Sequence, residues 1–189
     1  MKSFAEIKFD SLEEALHKSL ILEEVLPNEE IRLLPVGFWI TRENELLENI
    51  VSTRNANAYA FFQQDQTDLP QTVKYLLNGA ISDPYRVLFI IQSQNSEYLG
   101  QVGFKGLQSN EIELDAVLKS EYSSFSMYRV IKYLLNWVKT NYGITKVTLE
   151  VRLDNPRAVR LYERLGFIAN YNALFTREGQ GMVMVMDLS

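Results

Sequence analysis

One stretch, residues 146–167, constrains the fold more than any other. Three apolar residues alternate there, as on a strand with one buried face: Val147, Leu149 and Val151. Asn155 can then cap a helix, and Pro156 suits its first position. Four apolar residues share one face of that helix before Gly166 ends it: Ala158, Leu161, Tyr162 and Leu165. A strand leading directly into an amphipathic helix predicts an α/β fold.

The segments before this unit predict further strands and helices. We expect a strand-like piece at residues 5–9, a strand at 31–34, and a helix capped by Thr41 that runs to about Ser52. Asp68 and Pro70 predict the start of a helix that runs to Gly79. Residues 87–91 and 98–104 are separated by a turn and predict a β-hairpin.

The central segment predicts a strand followed by a long helix. On the strand at 111–118, alternation places four apolar residues on one face: Ile112, Leu114, Ala116 and Leu118. Apolar residues at helical spacing predict a helix from Met127 to about Tyr142, ended by Gly143. Residues 182–188 predict a last strand.

Composition excludes several kinds of chemistry. The 189 residues include no cysteine and one histidine, His17, so thiol catalysis, disulfides and a Cys- or His-rich metal site are excluded. The net charge of −5 argues weakly against nucleic-acid binding. Without an apolar leader or a run long enough to span a bilayer, we expect a cytoplasmic protein with no membrane partner.

Residues 155–167 read Asn-Pro-Arg-Ala-Val-Arg-Leu-Tyr-Glu-Arg-Leu-Gly-Phe. This run resembles the N-x-x-A-x-x-L-Y-x-x-x-G-F signature of GNAT acetyltransferases at every signature position. The resemblance extends from about Ile31 to the C-terminus, so we expect an N-terminal extension at 1–27 packed on a GNAT domain at 28–189. It implies a mixed, mostly antiparallel central sheet with a V-shaped splay and helices on both faces.

The resemblance also implies acetyl-CoA as cosubstrate. The splayed strand would bind the pantetheine arm through Ala116, Val117 and Leu118. The following loop would hold the pyrophosphate on its amides, through Ser123, Ser124, Phe125, Ser126, Met127 and Tyr128. This loop departs from the family pattern [QR]-x-x-G-x-[GA], because Ser126 replaces the first glycine and Tyr128 the last small residue. Asn155 is either a helix cap alone or also a contact to cofactor or substrate.

Two residues are candidate catalytic groups within this resemblance. Glu113 matches the glutamate in the A-E-I-G-Y pattern of ribosomal-protein-type relatives and would accept the proton of the amine; otherwise it is a solvent-facing strand carboxylate. Tyr162 matches the family's L-Y pair and would protonate the leaving thiolate; otherwise it is a core aromatic. Neither role requires histidine or cysteine.

The expected activity is transfer of the acetyl group to a primary amine by direct attack. Arg54 and Asn55 resemble part of the W-R-N of relatives that acetylate amino-sugar nucleotides and ribosomal proteins, which makes them candidate substrate residues. The acceptor could be a sugar, a small metabolite or a protein N-terminus, and the chain could form a homodimer. The alternatives are a catalytically silent GNAT-fold binding or sensing module, and an unrelated α/β domain.

Overall fold

The computed structural model describes residues 2–26, 29–121, 123–170 and 180–189. Its strands, in chain order, are β1 (Leu20–Leu26), β2 (Glu29–Pro35), β3 (Val87–Ser93), β4 (Tyr98–Gln108), β5 (Glu111–Lys119), β6 (Lys146–Arg152), β7 (Ile168–Ala169) and β8 (Gly181–Asp187). These eight described strands form one sheet in the order β1-β2-β3-β4-β5-β6-β8-β7. Adjacent strands are antiparallel except β5 and β6, which run parallel. The expected mixed, mostly antiparallel sheet is confirmed.

Helices pack on both faces of this sheet, also as expected. The described helices are α1 (Leu12–His17), α2 (Asn44–Ala56), α3 (Leu69–Tyr75), α4 (Met127–Tyr142) and α5 (Pro156–Leu165). Apolar residues of α4 and α5 share one buried cluster, and those of α1, α2 and α3 share another. Short 3-10 segments occur at Ala5–Ile7, Phe38–Arg42 and Ala58–Ala60, and a π-helical segment, Leu76–Ile81, continues α3.

The helix ends follow the capping residues seen in the sequence. The Asp68 carboxylate accepts from the Gln71 amide at 2.8 Å, and the Gln71 side chain accepts from the Asp68 amide at 3.2 Å. These two bonds satisfy donors that the first turn of α3 leaves open. Gly143 (φ 70°) and Gly166 (φ 103°) end α4 and α5 in the left-handed conformation that glycine adopts without strain.

Two local predictions near the N-terminus are wrong. The strand-like piece at residues 5–9 contains the 3-10 segment Ala5–Ile7 instead of a strand. Thr41 does not cap α2, because its hydroxyl donates to the Phe38 carbonyl at 2.8 Å within a 3-10 turn. The helix therefore begins at Asn44, after Glu43.

The apolar alternation predicted for β5 holds only in its first half. Ile112 and Leu114 belong to the cluster under α4 and α5, whereas Ala116 packs against the cluster on the opposite face. The pairing with β4 steps from Asp115 to Leu118 over a bulge, and Ala116 there has φ 54°. An inserted residue reverses the faces of those that follow it, which explains the change.

The N-terminal segment packs against the end of α4. Phe4 is completely buried, with its ring centroid 4.6 Å from Tyr142 and 6.3 Å from Trp137. Its amide donates to the Pro84 carbonyl at 2.7 Å. Pro27, the expected end of the extension, lies outside the described residues. Among the described residues, we find no helix that is both long and apolar enough to cross a membrane.

Candidate active site

The two central strands separate partway along their length. β5 and β6 pair at three positions, of which the last joins Glu113 to Thr148. Beyond it, β5 continues along β4 as far as Lys119, and β6 continues along β8 as far as Arg152. Both strands are thus held by their outer neighbours while a V-shaped gap opens between them. Backbone groups along such a gap can bind an extended ligand as another strand would.

The gap is part of a cleft of about 1210 Å³. Ala116, Val117 and Leu118 line it at the β5 bulge. A bulge leaves one residue outside the regular ladder, and its backbone groups become available to a ligand. The positive φ of Ala116 is a strained conformation for an alanine, and the strain is placed at the point where the strands part.

The N-terminus of α4 forms one end of the cleft. Ser126 is the N-cap residue but makes no side-chain cap bond, and the first turn of α4 contains no acidic residue. The residues of this turn line the cleft, and amides at a helix N-terminus without a side-chain cap are suited to binding phosphate. Ser123, Phe125, Ser126, Met127 and Tyr128 line the cleft, and the predicted cofactor residue Ser124 does not.

Cations from outside the loop surround this end of the cleft. Lys119 Nζ donates to the Phe125 carbonyl at 2.6 Å, and burial together with the charge of Arg157 lowers the pKa of Lys119. The Arg164 guanidinium carbon lies 4.7 Å from the centroid of the Tyr128 ring, which ties that ring to α5. The loop lacks the family's basic residue, and Lys119, Arg157 and Arg164 provide positive charge in its place. The sequence-based prediction did not include these three residues.

Tyr162 lies in the wall of the cleft and is almost fully buried, with 8% of its surface exposed. Its ring packs edge-on against Phe167, with centroids 6.0 Å apart. Burial, and secondarily the negative charge of Asp115, raises the pKa of Tyr162 above its ordinary value. The phenol consequently keeps its proton at neutral and moderately alkaline pH and can act as a donor.

Two carboxylates of β5 face the cleft in a network of ion pairs. Glu113 contacts Lys105 Nζ at 2.9 Å, and Asp115 contacts Arg86 at 2.6 Å and Lys105 at 3.6 Å. Arg86 also donates to the Tyr75 hydroxyl. The sequence-based prediction assigned no role to Asp115 or to the cations that pair with it, although the alternation that exposes Glu113 also exposes Asp115.

The other predicted site residues lie in three different settings. Asn155 lines the cleft and also caps α5, its Oδ1 accepting from the Ala158 amide at 3.1 Å. Arg54 lines the cleft from the last turn of α2. Asn55 does not line it. Its side chain accepts from the Thr67 amide at 2.8 Å and donates to the Thr67 carbonyl at 2.9 Å, so it holds the segment that leads into α3.

Two polar groups of the cleft wall lack a protein partner. Within the described part of the chain, Arg54 Nη1 and Gln101 Oε1 are buried atoms without a hydrogen bond. Burial lowers the pKa of the Arg54 guanidinium below its usual value. Unsatisfied buried polar atoms are uncommon in native proteins, and each of them calls for a partner such as a water, an ion or a ligand.

Comparison with known families assigns this architecture. The model of the acetyltransferase (GNAT) domain matches residues 37–168, which is more than half of the chain. The chain belongs to the GNAT acetyltransferase family. The expected family is thereby confirmed, and the protein is an acetyl-CoA-dependent N-acetyltransferase. Comparison with curated proteins gave no match.

Several solved structures have a similar fold at low sequence identity. A spermidine N-acetyltransferase from Vibrio cholerae, crystallised with CoA and spermine, is 20% identical and has a TM-score of 0.65; the match covers 84% of this chain and 95% of that one. A probable GNAT acetyltransferase from Chromobacterium violaceum is 14% identical, with a TM-score of 0.67 and coverage of 86% and 85%. A domain from Methanocaldococcus jannaschii is 18% identical, with a TM-score of 0.67 and coverage of 85% and 100%.

The cleft of this GNAT domain suits acetyl-CoA. Its gap exposes strand edges for the pantetheine arm, and its α4 end combines helix amides with nearby cations for the phosphates. Acetyl-CoA supplies an activated thioester, so the protein has only to bind, orient and move protons. The residues present fit the cosubstrate without a metal, a cysteine or a second histidine.

Proposed function

We propose that this enzyme acetylates the primary amine of a small molecule, by direct attack of the amine on the thioester in the gap between β5 and β6. One observation carries the proposal: the gap opens directly after Glu113, and the buried phenol of Tyr162 lines the same cleft. One cleft thus holds a candidate proton acceptor, a candidate proton donor and the strand edges that leave room for the thioester. The chain has no cysteine, and His17 does not line the cleft, so neither residue type can serve there as the nucleophile of a covalent acyl-enzyme.

The two candidate groups have opposite tasks in this reaction. A lysine-like amine has a pKa of about 10.4 and must lose a proton before it attacks. Glu113 receives that proton, directly or through water, and Lys105 at 2.9 Å holds its carboxylate in place. Tyr162 donates its proton as the thiolate leaves. Its raised pKa keeps the proton available in the pH range where more of the amine becomes neutral.

Backbone and loop groups bind and orient the cosubstrate. We assign the pantetheine arm to the bulge residues Ala116, Val117 and Leu118, and the pyrophosphate to the amides of the loop that ends at Tyr128. Lys119, Arg157 and Arg164 add positive charge there. Asn155 contributes by fixing the start of α5, the helix that carries Tyr162.

The acceptor enters the part of the cleft lined by α2, α3 and the segment between them, which we term the acceptor wall (residues 50–75). Arg54 lies on this wall. Its presence there supports the amino-sugar and ribosomal-protein branch of the family, and within that branch a small amine such as an amino sugar is the acceptor that we propose.

The experiment that tests the proposal compares Tyr162→Phe with the wild type. Removing the hydroxyl while keeping the ring should lower kcat by roughly 10²–10⁴-fold, the usual contribution of a positioned proton donor. The affinity for acetyl-CoA should change little, because the loop and the strand edge are untouched. Thiol release gives kcat, and calorimetry gives the affinity.

Tyr133→Phe is the matched control. Tyr133 is partly exposed on α4 and does not line the cleft, so its variant should behave as the wild type does. The pH profile adds a second check. Because the folded pKa of Tyr162 is raised, wild-type kcat should not decline between pH 8 and 9.5 through loss of this proton. A Phe variant as active as the Tyr133 control would remove Tyr162 from the mechanism.

A further inference from the structure

Arg54 forms no ion pair with a described carboxylate, in contrast to three other cations that line the cleft. Arg86 pairs with Asp115 at 2.6 Å, and Lys105 pairs with Glu113 at 2.9 Å. Arg152 pairs with Asp154 through two hydrogen bonds, the shorter at 2.5 Å. Among the described residues, no carboxylate lies within 4.0 Å of Arg54. Arg54 is therefore a cation of the cleft without a direct ion pair. Burial lowers its pKa, and the charges of Tyr75 and of Asp65, which also lines the cleft, oppose this only from a distance.

The side chain of Arg54 is nevertheless held in one orientation. Its guanidinium carbon lies 4.1 Å from the centroid of the Phe61 ring, and Nη2 donates to the Gln63 carbonyl. The opposite nitrogen, Nη1, is buried without a hydrogen bond. The guanidinium is thus fixed through its face and through one nitrogen, and its Nη1 has no protein acceptor. A planar anion is the group that arginine binds best.

Arg54 as a whole is only partly buried, but its Nη1 is a buried donor without an acceptor, and such a donor is costly until a partner is supplied. We propose that the acceptor is an amine that also carries a phosphate or a carboxylate, and that Arg54 binds this anionic group. The inference rests on the proposed function, since it assigns the acceptor to the same cleft. It also separates this enzyme from its structural neighbours that acetylate spermidine, because a polyamine would bring further positive charge to Arg54.

The test uses pairs of amines that differ in the anion alone. Glucosamine 6-phosphate is compared with glucosamine, and β-alanine with β-alaninamide, which distinguishes phosphate from carboxylate; spermidine serves as the polycation. Each amine is titrated calorimetrically into protein saturated with CoA, so that the phosphate site at α4 is already filled. In at least one pair, the anionic member should bind roughly 10- to 100-fold more tightly, the contribution expected of hydrogen bonds to a charged group.

Variants at Arg54 test whether this residue causes the preference for the anionic amine. Arg54→Gln should abolish the preference within the pair, and Arg54→Lys should retain part of it, because lysine keeps the charge but loses the forked donors. Arg42→Gln is the control, since Arg42 is exposed and does not line the cleft. Melting curves establish that each variant is folded. The inference would be overturned if neither pair showed a difference in affinity or if no amine bound. It would also be overturned if spermidine bound more tightly, or if the preference survived Arg54→Gln.

Turnover, measured in parallel, separates this inference from the proposed function. Acetylated product without an anion preference would contradict the role of Arg54 and leave the amine acetylation standing. Anion-dependent binding that Arg54→Gln abolishes, without acetylation of any amine, would contradict the proposed function and leave the anion site standing.

Discussion

At the scale of single residues, Glu111 and Glu113 allow a matched comparison of two carboxylates on the same strand. Both are carboxylates on β5, two residues apart, and each pairs with a lysine: Glu111 with Lys146 at 3.0 Å and Glu113 with Lys105 at 2.9 Å. Only Glu113 lines the cleft. Substituting either one removes a similar surface ion pair, so a difference between the two variants reports on the cleft itself.

We expect Glu113→Gln to lower kcat near neutral pH and to recover partly as the pH rises. Glutamine cannot accept the amine's proton. At high pH more of the amine is already neutral, so the reaction depends less on a protein group that removes the proton. Glu111→Gln should follow the wild-type profile. The measurement is kcat against pH for the three proteins with a single amine. A Glu113→Gln profile that superimposes on that of Glu111→Gln would show that neither carboxylate takes part.

Asn155 and Tyr162 were candidate site residues because both lie in the run that resembles the family signature. Both line the cleft, where Asn155 also caps α5 and Tyr162 also belongs to the apolar cluster. Asp115 and Arg86 meet only through the sheet, across 29 positions of sequence. The missing partner of Arg54 Nη1 is likewise a property of the folded cleft and has no local signal.

At the scale of elements, the loop before α4 departs most from the family pattern. Backbone amides bind phosphate whatever the side chain, with the exception of proline, which has no N–H. Tyr128 is held beside Arg164, so the bulky residue at the last position of the pattern is accommodated against α5. The loop can therefore use its amides although both small residues of the pattern are replaced.

Substitutions at Ser126 test this interpretation directly. Ser126→Pro should weaken acetyl-CoA binding well beyond Ser126→Gly, because only proline removes an amide donor. The backbone at Ser126 has φ −90°, near the range that proline adopts, so the variant should remain folded. Calorimetric affinities decide the question once melting curves establish that both variants fold. Equal affinities would show that this amide does not bind the pyrophosphate.

Element boundaries were predictable where a single residue sets them. Gly143, Gly166 and the Asn155–Pro156 pair gave the ends of α4 and α5 because the backbone conformation there depends on those residues. The bulge at Ala116 was not predictable, since it results from the pairing of two strands and not from the residues of one. That bulge moves Ala116 to the opposite face and so shapes the centre of the cleft.

At the scale of the whole molecule, the V-shaped gap depends on strands that are distant in sequence. β5 is kept on one side by its hairpin with β4, and β6 on the other by β8, which lies about 30 residues further along the chain. No local pattern could predict the angle between them, and only the family resemblance suggested it. The packing of the N-terminal segment had no local signal either: the Phe4 side chain contacts Tyr142, at the end of α4.

Phe4 gives a test of how the N-terminal segment contributes to the domain. Its ring is completely buried between Trp137 and Tyr142, whereas Phe38 has a ring that is 51% exposed. Truncating a core phenylalanine to alanine costs about 3–5 kcal/mol, and an exposed one costs within about 0.5 kcal/mol. Phe4→Ala should therefore lower Tm by on the order of 10 °C in a domain of this size, and Phe38→Ala should barely change it.

Measuring how much acetyl-CoA stabilises Phe4→Ala shows whether this substitution only destabilises the fold or also alters the cleft. Phe4 contacts the C-terminal turn of α4, while the proposed phosphate site is at the N-terminal turn, so the substitution should leave the affinity unchanged. A ligand that binds only the native state adds a stabilisation that depends on its concentration and affinity. Saturating acetyl-CoA should thus stabilise Phe4→Ala and the wild type by the same free energy. If the two phenylalanine variants melt together, residues 2–9 contribute little to the fold; if acetyl-CoA fails to stabilise Phe4→Ala, the segment acts on the cleft through α4.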